Sequence, residues 1–267
     1  AGAIRALRQA LTEQPAQALR DRALAENAPL ARTHGTRFAI VQGAMTRVSD
    51  CPAFTEAVAK AGALPMIALA MLSGERSREL LEETRRCLGE RPWGVGILGF
   101  APAALREEQL AAIQAVRPPF AYIAGGRLEQ AQHLDADGIA TYLHVPTPTL
   151  LRLFLEQGVR RFIFEGRECG GHIGPLSSFV LWESMIEALL AWEQEHPGAL
   201  SKVAVLFAGG IHDARSAAMT ATLAAALTRR GAQIGVLMGT AYILTEEAVR
   251  CGAIREEFQH VAFDCAA

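Results

Sequence analysis

"FAIVQGAMTRVSD", residues 38–50, is an apolar, β-branched run that stops at a glycine and gives way to a polar turn ahead of Pro52. It reads as a strand leading into a helix, and its turn chooses between two α/β architectures. A doubly wound open sheet that binds a dinucleotide would carry G-x-G-x-x-G at this point. Here there is a single glycine, Gly43. The stretch is therefore read as the first unit of a closed barrel, with the doubly wound sheet as the competing fold.

Working outward, the same two-part pattern recurs to the end of the chain. Short apolar runs predict strands at Phe38–Gln42, Leu64–Ala70, Trp93–Leu98, Phe120–Ile123, Ala140–Val145, Arg161–Glu165, Val203–Ala208 and Ile234–Met238. Amphipathic stretches between them predict helices at Pro52–Ala61, with Asp50 as N-cap, and at Gly74–Leu88, Ala103–Val116, Leu128–Ala136, Thr147–Gln157, Asp213–Arg229 and Thr240–Arg250. Prolines near the starts and glycines just past the ends punctuate the series. Strict alternation means parallel strands with right-handed crossovers. Eight such units in about 225 residues have the size of a (β/α)8 TIM barrel. A longer connection after the sixth strand predicts a helical insertion near Val180–Gln194. Ala3–Glu26 has helical spacing, so residues 1–36 read as an N-terminal helix and linker ahead of a barrel domain over residues 37–267.

Composition narrows the function. Hydrophobic residues make up 51% of 267, enough for a large core, yet apolar runs are too short or too interrupted to cross a bilayer. A net charge of −2 with scattered Lys and Arg argues against nucleic-acid or membrane-surface partners. Five dispersed cysteines without a C-x-x-C pair support neither a disulfide framework nor a metal site, and suit the cytoplasm. No initiator Met opens the chain and it stops at "FDCAA", as a segment of a longer polypeptide would, although processing would look the same.

In a barrel the chemistry sits at the carboxyl ends of the strands. Reading those ends gives Gln42, Gly43, Ala44 and Met45; His144; Glu165 to Gly174; Gly209, Gly210 and His212; and Gly239 and Thr240. Glycine recurs there, which lets main chain approach a large flat ligand without an intervening Cβ. Gly209 and Gly210 after the seventh strand, with Gly239 and Thr240 after the eighth, form the expected phosphate cradle. In "FEGRECGGHIGP" (residues 164–175), Gly170 and Gly171 leave His172 as the candidate acid–base residue over the mouth. His144 and His212 are secondary candidates. Glu165 and Glu168 either orient a histidine or are solvated loop acids, and Cys169 reads as packing. The only lysines, Lys60 and Lys202, avoid the strand ends, which argues against Schiff-base chemistry.

Four stretches, "IVQGAMTRVSD" (residues 40–50), "FEGRECGGHIG" (164–174), "LFAGGIHDARS" (206–216) and "VLMGTAYILTEEAV" (236–249), together resemble the nitronate monooxygenase family. These proteins were formerly called 2-nitropropane dioxygenases and include FMN-dependent enoyl-acyl-carrier-protein reductases. The resemblance spans about Arg37 to Phe258. It implies FMN at the mouth, with Gly43–Met45 beside the isoalloxazine, Gly170 and Gly171 against it, and His172 near its reactive face. Gln42 and Glu165 are counted among the cofactor contacts, and Gly209, Gly210, Gly239 and Thr240 would take the phosphate. The wording "RVSD" and "SSFVLWES" looks like the version embedded in polyketide synthases, which points to neighbouring domains of a larger assembly.

The expected activity is reduction of a small or carrier-bound enoyl thioester, with NADH or NADPH as donor. Apolar residues after His172 (Phe179, Val180, Leu181, Trp182 and Met185) would suit an acyl chain, or would simply anchor the helix. Nitronate oxidation with oxygen is the alternative. A flavin-free isomerase or lyase acting on a phosphate ester, or a non-catalytic scaffold domain, stands outside that class.

Overall fold

The structure, a computed structural model, describes residues 2–171 and 173–265. Eight parallel strands form one sheet: β1 (Ile40–Gln42), β2 (Met66–Ala68), β3 (Gly94–Leu98), β4 (Phe120–Ala124), β5 (Ala140–His144), β6 (Arg161–Glu165), β7 (Ala204–Ala208) and β8 (Gln233–Met238). Neighbours follow chain order from β2 to β8, and β8 pairs with β1. A parallel bridge between Val41 and Leu64, with Gln42 N–H donating to Leu64 O at 2.9 Å, joins β1 to the segment leading into β2. That contact closes the cylinder, so the doubly wound alternative falls away.

Strand alternation divides the core into two shells. Val41, Met66, Phe120, Tyr122, Tyr142, Ile163 and Leu206 fill the barrel interior. Their neighbours Ile67, Val95, Ile123, Leu143, Phe162, Phe164, Phe207 and Val236 face outward against helix residues such as Leu81, Ile113, Leu151 and Trp182. Both shells are buried because parallel strands in a barrel are covered on each face.

The helices Gly74–Leu88, Ala103–Val116 and Leu128–Ala136 match their sequence-predicted limits. Several others differ for local reasons. The first barrel helix is capped at Cys51 rather than Asp50, because Pro52 sets the first helical φ and the Cys51 thiol donates instead to Cys251 O at 3.2 Å. The expected Asp213–Arg229 helix divides at Ala224 into Ala214–Leu223 and Ala225–Thr228. Thr240–Arg250 divides near Thr245, whose hydroxyl donates back to Tyr242 O. The insertion runs over Ser178–Glu195.

The N-terminal segment has two parts. Helix Gly2–Asp21 packs on the two helices that follow β7, and the Thr228 hydroxyl donates to Asp21. Residues 29–34, read from sequence as linker, form a further short helix. Its Leu30, Ala31 and His34 are buried in the interior shell or against it. His34 Nε2 lies 2.7 Å from the Tyr142 hydroxyl. Among the described residues no helix is long and apolar enough to cross a membrane, and no cluster of metal-ligating side chains forms.

Candidate active site at the barrel mouth

At the carboxyl ends of the strands half of the interior positions are small, Gly43, Ala68, Ala124 and Ala208, and Leu98 and Leu237 end β3 and β8 on the same face. Two polar side chains stand at the same level, His144 ending β5 and Glu165 ending β6. Each lies two residues beyond an interior residue, Tyr142 and Ile163 respectively, and so shares its interior face. His144 Nδ1 lies 2.5 Å from Glu165 Oε2, and the two side chains are 13% and 14% exposed. The imidazole also stacks on Tyr122 of β4, with ring centroids 5.1 Å apart and planes 21° apart. Its Nε2 is buried and has no partner among the described residues.

Burial raises the titration of the Tyr122 hydroxyl, and the nearby Glu165 carboxylate adds to this. The Cys169 thiol is likewise pushed up, first by burial and then by Glu165 and Glu168. It stays protonated at neutral pH, which removes it as a nucleophile and supports the packing role read from sequence.

The segment Gly43–Met45 differs from expectation in one respect. All three amides are already used: Gly43 N–H donates to Met238 O at 2.9 Å, Ala44 N–H to the Tyr122 hydroxyl at 2.5 Å, and Met45 N–H to Ser49 Oγ at 2.5 Å. The loop therefore offers a surface, not donors. Gln42 is fully buried and alternates with the interior Val41. Its amide nitrogen and oxygen have no partner among the described residues.

The cradle loops are different. Gly209 and Gly210 have φ of +124° and +71°, values that favour glycine. A Cβ on Gly209 would collide with Ser178 Oγ, whereas one on Gly210 would meet Glu168 only in ordinary contact at 3.6 Å. The N–H groups of Gly209, Gly210 and Gly239 donate to no other described residue. Gly239 adjoins Met45, with Sδ 3.7 Å from the position a Cβ would take. The β8 loop thus meets the β1 loop beside the small-residue floor, and Thr240 opens the following short helix.

The loop after β6 is held at both ends. Glu168 accepts from Ser178 N–H at 2.7 Å and from its hydroxyl at 2.5 Å, and these bonds hold its carboxyl below the usual range. It caps the helix Ser178–Glu195 and neutralises that helix's positive end. Of the two acids in the motif, Glu165 is the one beside a histidine. Gly170 and Gly171 face open space, with φ of +86° at Gly171. His172, the leading sequence candidate, lies outside the described residues. His212 is exposed, and its Nδ1 lies 2.9 Å from Gly210 O, where its N–H can donate.

Of the two sequence readings of the apolar residues after His172, acyl lining or helix anchoring, packing supports the second for three of them. Leu181, Trp182 and Met185 are buried in the outer core, while Phe179 and Val180 sit on the outer surface of their helix. Helical periodicity turns the first three inward, so they anchor the helix rather than line a substrate channel. The exposed apolar residues at strand ends are instead Met71 after β2, Phe100 after β3 and Ile173 after β6. Tyr122, Ser49 and Ser178 were invisible as site residues in the sequence, because their contacts are set by strand register and not by any motif.

Comparison with known proteins agrees with this geometry. The family model described as nitronate monooxygenase matches residues 27–264. The chain is 27% identical over 224 residues to (3aS,4S,5R,7aS)-5-hydroxy-7a-methyl-1-oxo-octahydro-1H-indene-4-carboxyl-CoA dehydrogenase from Rhodococcus jostii, covering 84% of this chain and 57% of that protein. It is 26% identical to the nitronate monooxygenase of Pseudomonas aeruginosa, covering 84% of this chain and 71% of that protein. FabK from Thermotoga maritima superposes with a TM-score of 0.66 at 25% identity, over 82% of this chain and 63% of that chain. The enoyl reductase domain of MlnA from Bacillus amyloliquefaciens shares the fold, with a TM-score of 0.65 at 16% identity over 84% of this chain and 58% of that chain. The chain spans about three fifths of the length of its dehydrogenase relatives, 57% and 61% of the two proteins matched. With a closed parallel barrel, glycine-built loops after β7 and β8, and a family match over nearly its whole length, the chain belongs to the nitronate monooxygenase family, a family of FMN-dependent oxidoreductases.

Proposed function

We propose that this chain binds FMN at the barrel mouth and reduces the carbon–carbon double bond of acyl thioesters, with NADH or NADPH as the source of hydride. The residues fit the cofactor. Gly209, Gly210 and Gly239 offer main-chain donors for its phosphate without a competing Cβ, and Thr240 adds a hydroxyl. Gly43–Met45 and the small interior side chains give the ring a floor, Gly170 and Gly171 leave room above, and Glu165 and the Gln42 main chain border it, the Gln42 side chain alternating away from the interior. Bound FMN supplies hydride transfer, and the protein supplies orientation and proton placement. His172 is assigned the proton delivered to the substrate α-carbon.

The observation that carries the thioester reading is that Met71, Phe100 and Ile173 are exposed apolar side chains at the rim, following β2, β3 and β6, above a floor whose polar groups are His144 and Glu165. An acyl chain can lie on that rim while its thioester reaches the floor. The carboxyl-CoA dehydrogenase and enoyl reductase relatives support the same substrate class, presented on coenzyme A or on a carrier protein. Neighbouring domains of a larger synthase and a cytoplasmic setting complete this reading. Oxidation of a nitronate with oxygen is the second reading, favoured by the Pseudomonas aeruginosa relative.

Anaerobic stopped-flow mixing decides between them. The FMN-loaded protein should bleach with one nicotinamide donor and recover its colour on mixing with crotonyl-CoA. Bleaching of oxidised FMN by an alkyl nitronate, with colour restored by oxygen and no recovery of the nicotinamide-bleached protein with crotonyl-CoA, would transfer the assignment to nitronate oxidation. A protein that takes up no FMN would return the flavin-free isomerase or lyase reading. Gly210→Val should weaken FMN binding about tenfold or more, since a branched Cβ at φ +71° strains the loop by about 1–3 kcal/mol and narrows the approach to its amide. Equilibrium dialysis with FMN measures it, and unchanged retention would remove Gly210 from the cradle.

A further inference from the structure

We propose that His144 contacts the bound cofactor, with Glu165 positioning its ring; the proposal rests on the FMN reading above. Glu165 faces Nδ1, Tyr122 covers one face of the imidazole, and Nε2 is buried without a partner among the described residues. A buried polar atom left unpaired costs about 1–3 kcal/mol, and folded proteins complete such groups with a ligand, an ion or water. Held by Glu165 and Tyr122, the ring is not free to swing out and satisfy itself in solvent. Beside the His144–Glu165 pair the interior positions ending β4 and β7 are Ala124 and Ala208, while the larger Leu98 on β3 and Leu237 on β8 stand beyond them. A flat heteroaromatic ring with polar edge atoms can therefore descend far enough to meet Nε2.

The electrostatics give this contact a consequence for redox chemistry. The titratable groups facing the imidazole are Tyr122 from β4 and Glu165 from β6, and Cys169 from the loop after β6 lies beside both of them. Burial keeps the phenol and the thiol protonated, so the carboxylate is the charge beside the ring. A carboxylate that fixes one imidazole nitrogen and leaves the other to act is the arrangement of catalytic triads. Hydride taken from a reduced nicotinamide, two electrons and one proton, would leave more negative charge on the polar edge of a flavin ring beside Nε2. A protonated His144 would favour the reduced form over the oxidised one, and a neutral His144 would not.

The test is titration of the apoprotein with FMN, followed by flavin fluorescence, for the parent, His144→Ala and Glu165→Gln. Both oxidised and dithionite-reduced FMN are used, at about pH 6 and about pH 8, a span in which histidine is the side chain expected to change charge. Loss of the contact in His144→Ala should raise Kd about tenfold, more for reduced FMN than for oxidised at the lower pH. Glu165→Gln should weaken binding less than His144→Ala does and should alter its pH dependence. Circular dichroism checks that each variant is folded. Parental affinity for both redox forms in a folded His144→Ala would overturn the proposal while leaving the FMN reading intact. A parent that takes up no FMN would defeat both. If His144→Ala does not fold, the absorbance of bound FMN decides: a pH-dependent spectrum in the parent that changes in Glu165→Gln supports the contact, and an invariant one overturns it.

Discussion

Trp182→Ala should lower the free energy of unfolding by about 3–5 kcal/mol, the range for removing a large aromatic from a packed core. Trp182 is 1% exposed, and its Nε1–H donates to Phe164 O at 3.1 Å. Its indole meets Phe207 edge-on, with centroids 5.5 Å apart. Truncation opens a void between β6, β7 and the helix Ser178–Glu195, and leaves the Phe164 carbonyl without its partner. The effect should reach the mouth, because the same helix begins at Ser178, which holds Glu168 and with it the loop after β6. FMN affinity should therefore fall alongside stability. Trp182→Phe keeps most of the packing, so it should cost less. Urea unfolding at constant slope is the measurement. A loss under about 1 kcal/mol for Trp182→Ala would mean the helix is anchored elsewhere.

Acid should destabilise the barrel through its floor. His34 is 2% exposed and sits edge-on to Phe120, with centroids 5.1 Å apart. Burial, helped by the charge of Arg161, lowers its pKa from 6.5 to about 4. Tyr142 keeps its proton because burial raises its titration, so its hydroxyl can donate to the neutral imidazole. Above about pH 6.5 His34 is neutral whether the chain is folded or not, and its contribution is fully retained. As pH falls toward about 4 the unfolded chain takes up a proton that the folded chain resists, and stability drops. A shift of this size corresponds to a loss on the order of 3 kcal/mol once pH lies below both values. His34→Phe removes the titrating group, so the difference in urea midpoint between parent and variant should change across that window. Parallel pH profiles would assign the acid sensitivity to other groups.

Much of this protein follows from its sequence alone. Alternating apolar runs and amphipathic stretches set eight parallel strands, because each segment has one way to bury its apolar face. Gly209 and Gly210 after β7 stand out in the sequence, since backbone at positive φ favours that residue. Other features depended on the closed structure. Nothing local in "TYLH" (residues 141–144) and "FIFE" (162–165) pairs His144 with Glu165; the register of β5 against β6 and the alternation of the strands bring them together. Likewise, "PLARTH" (residues 29–34) reads as linker until the open floor of the barrel gives Leu30 and His34 a surface to cover. Local patterns encode which elements form and where the chain must be bare. Which side chains meet at the mouth and the floor is long-range information, and only closing the cylinder supplies it.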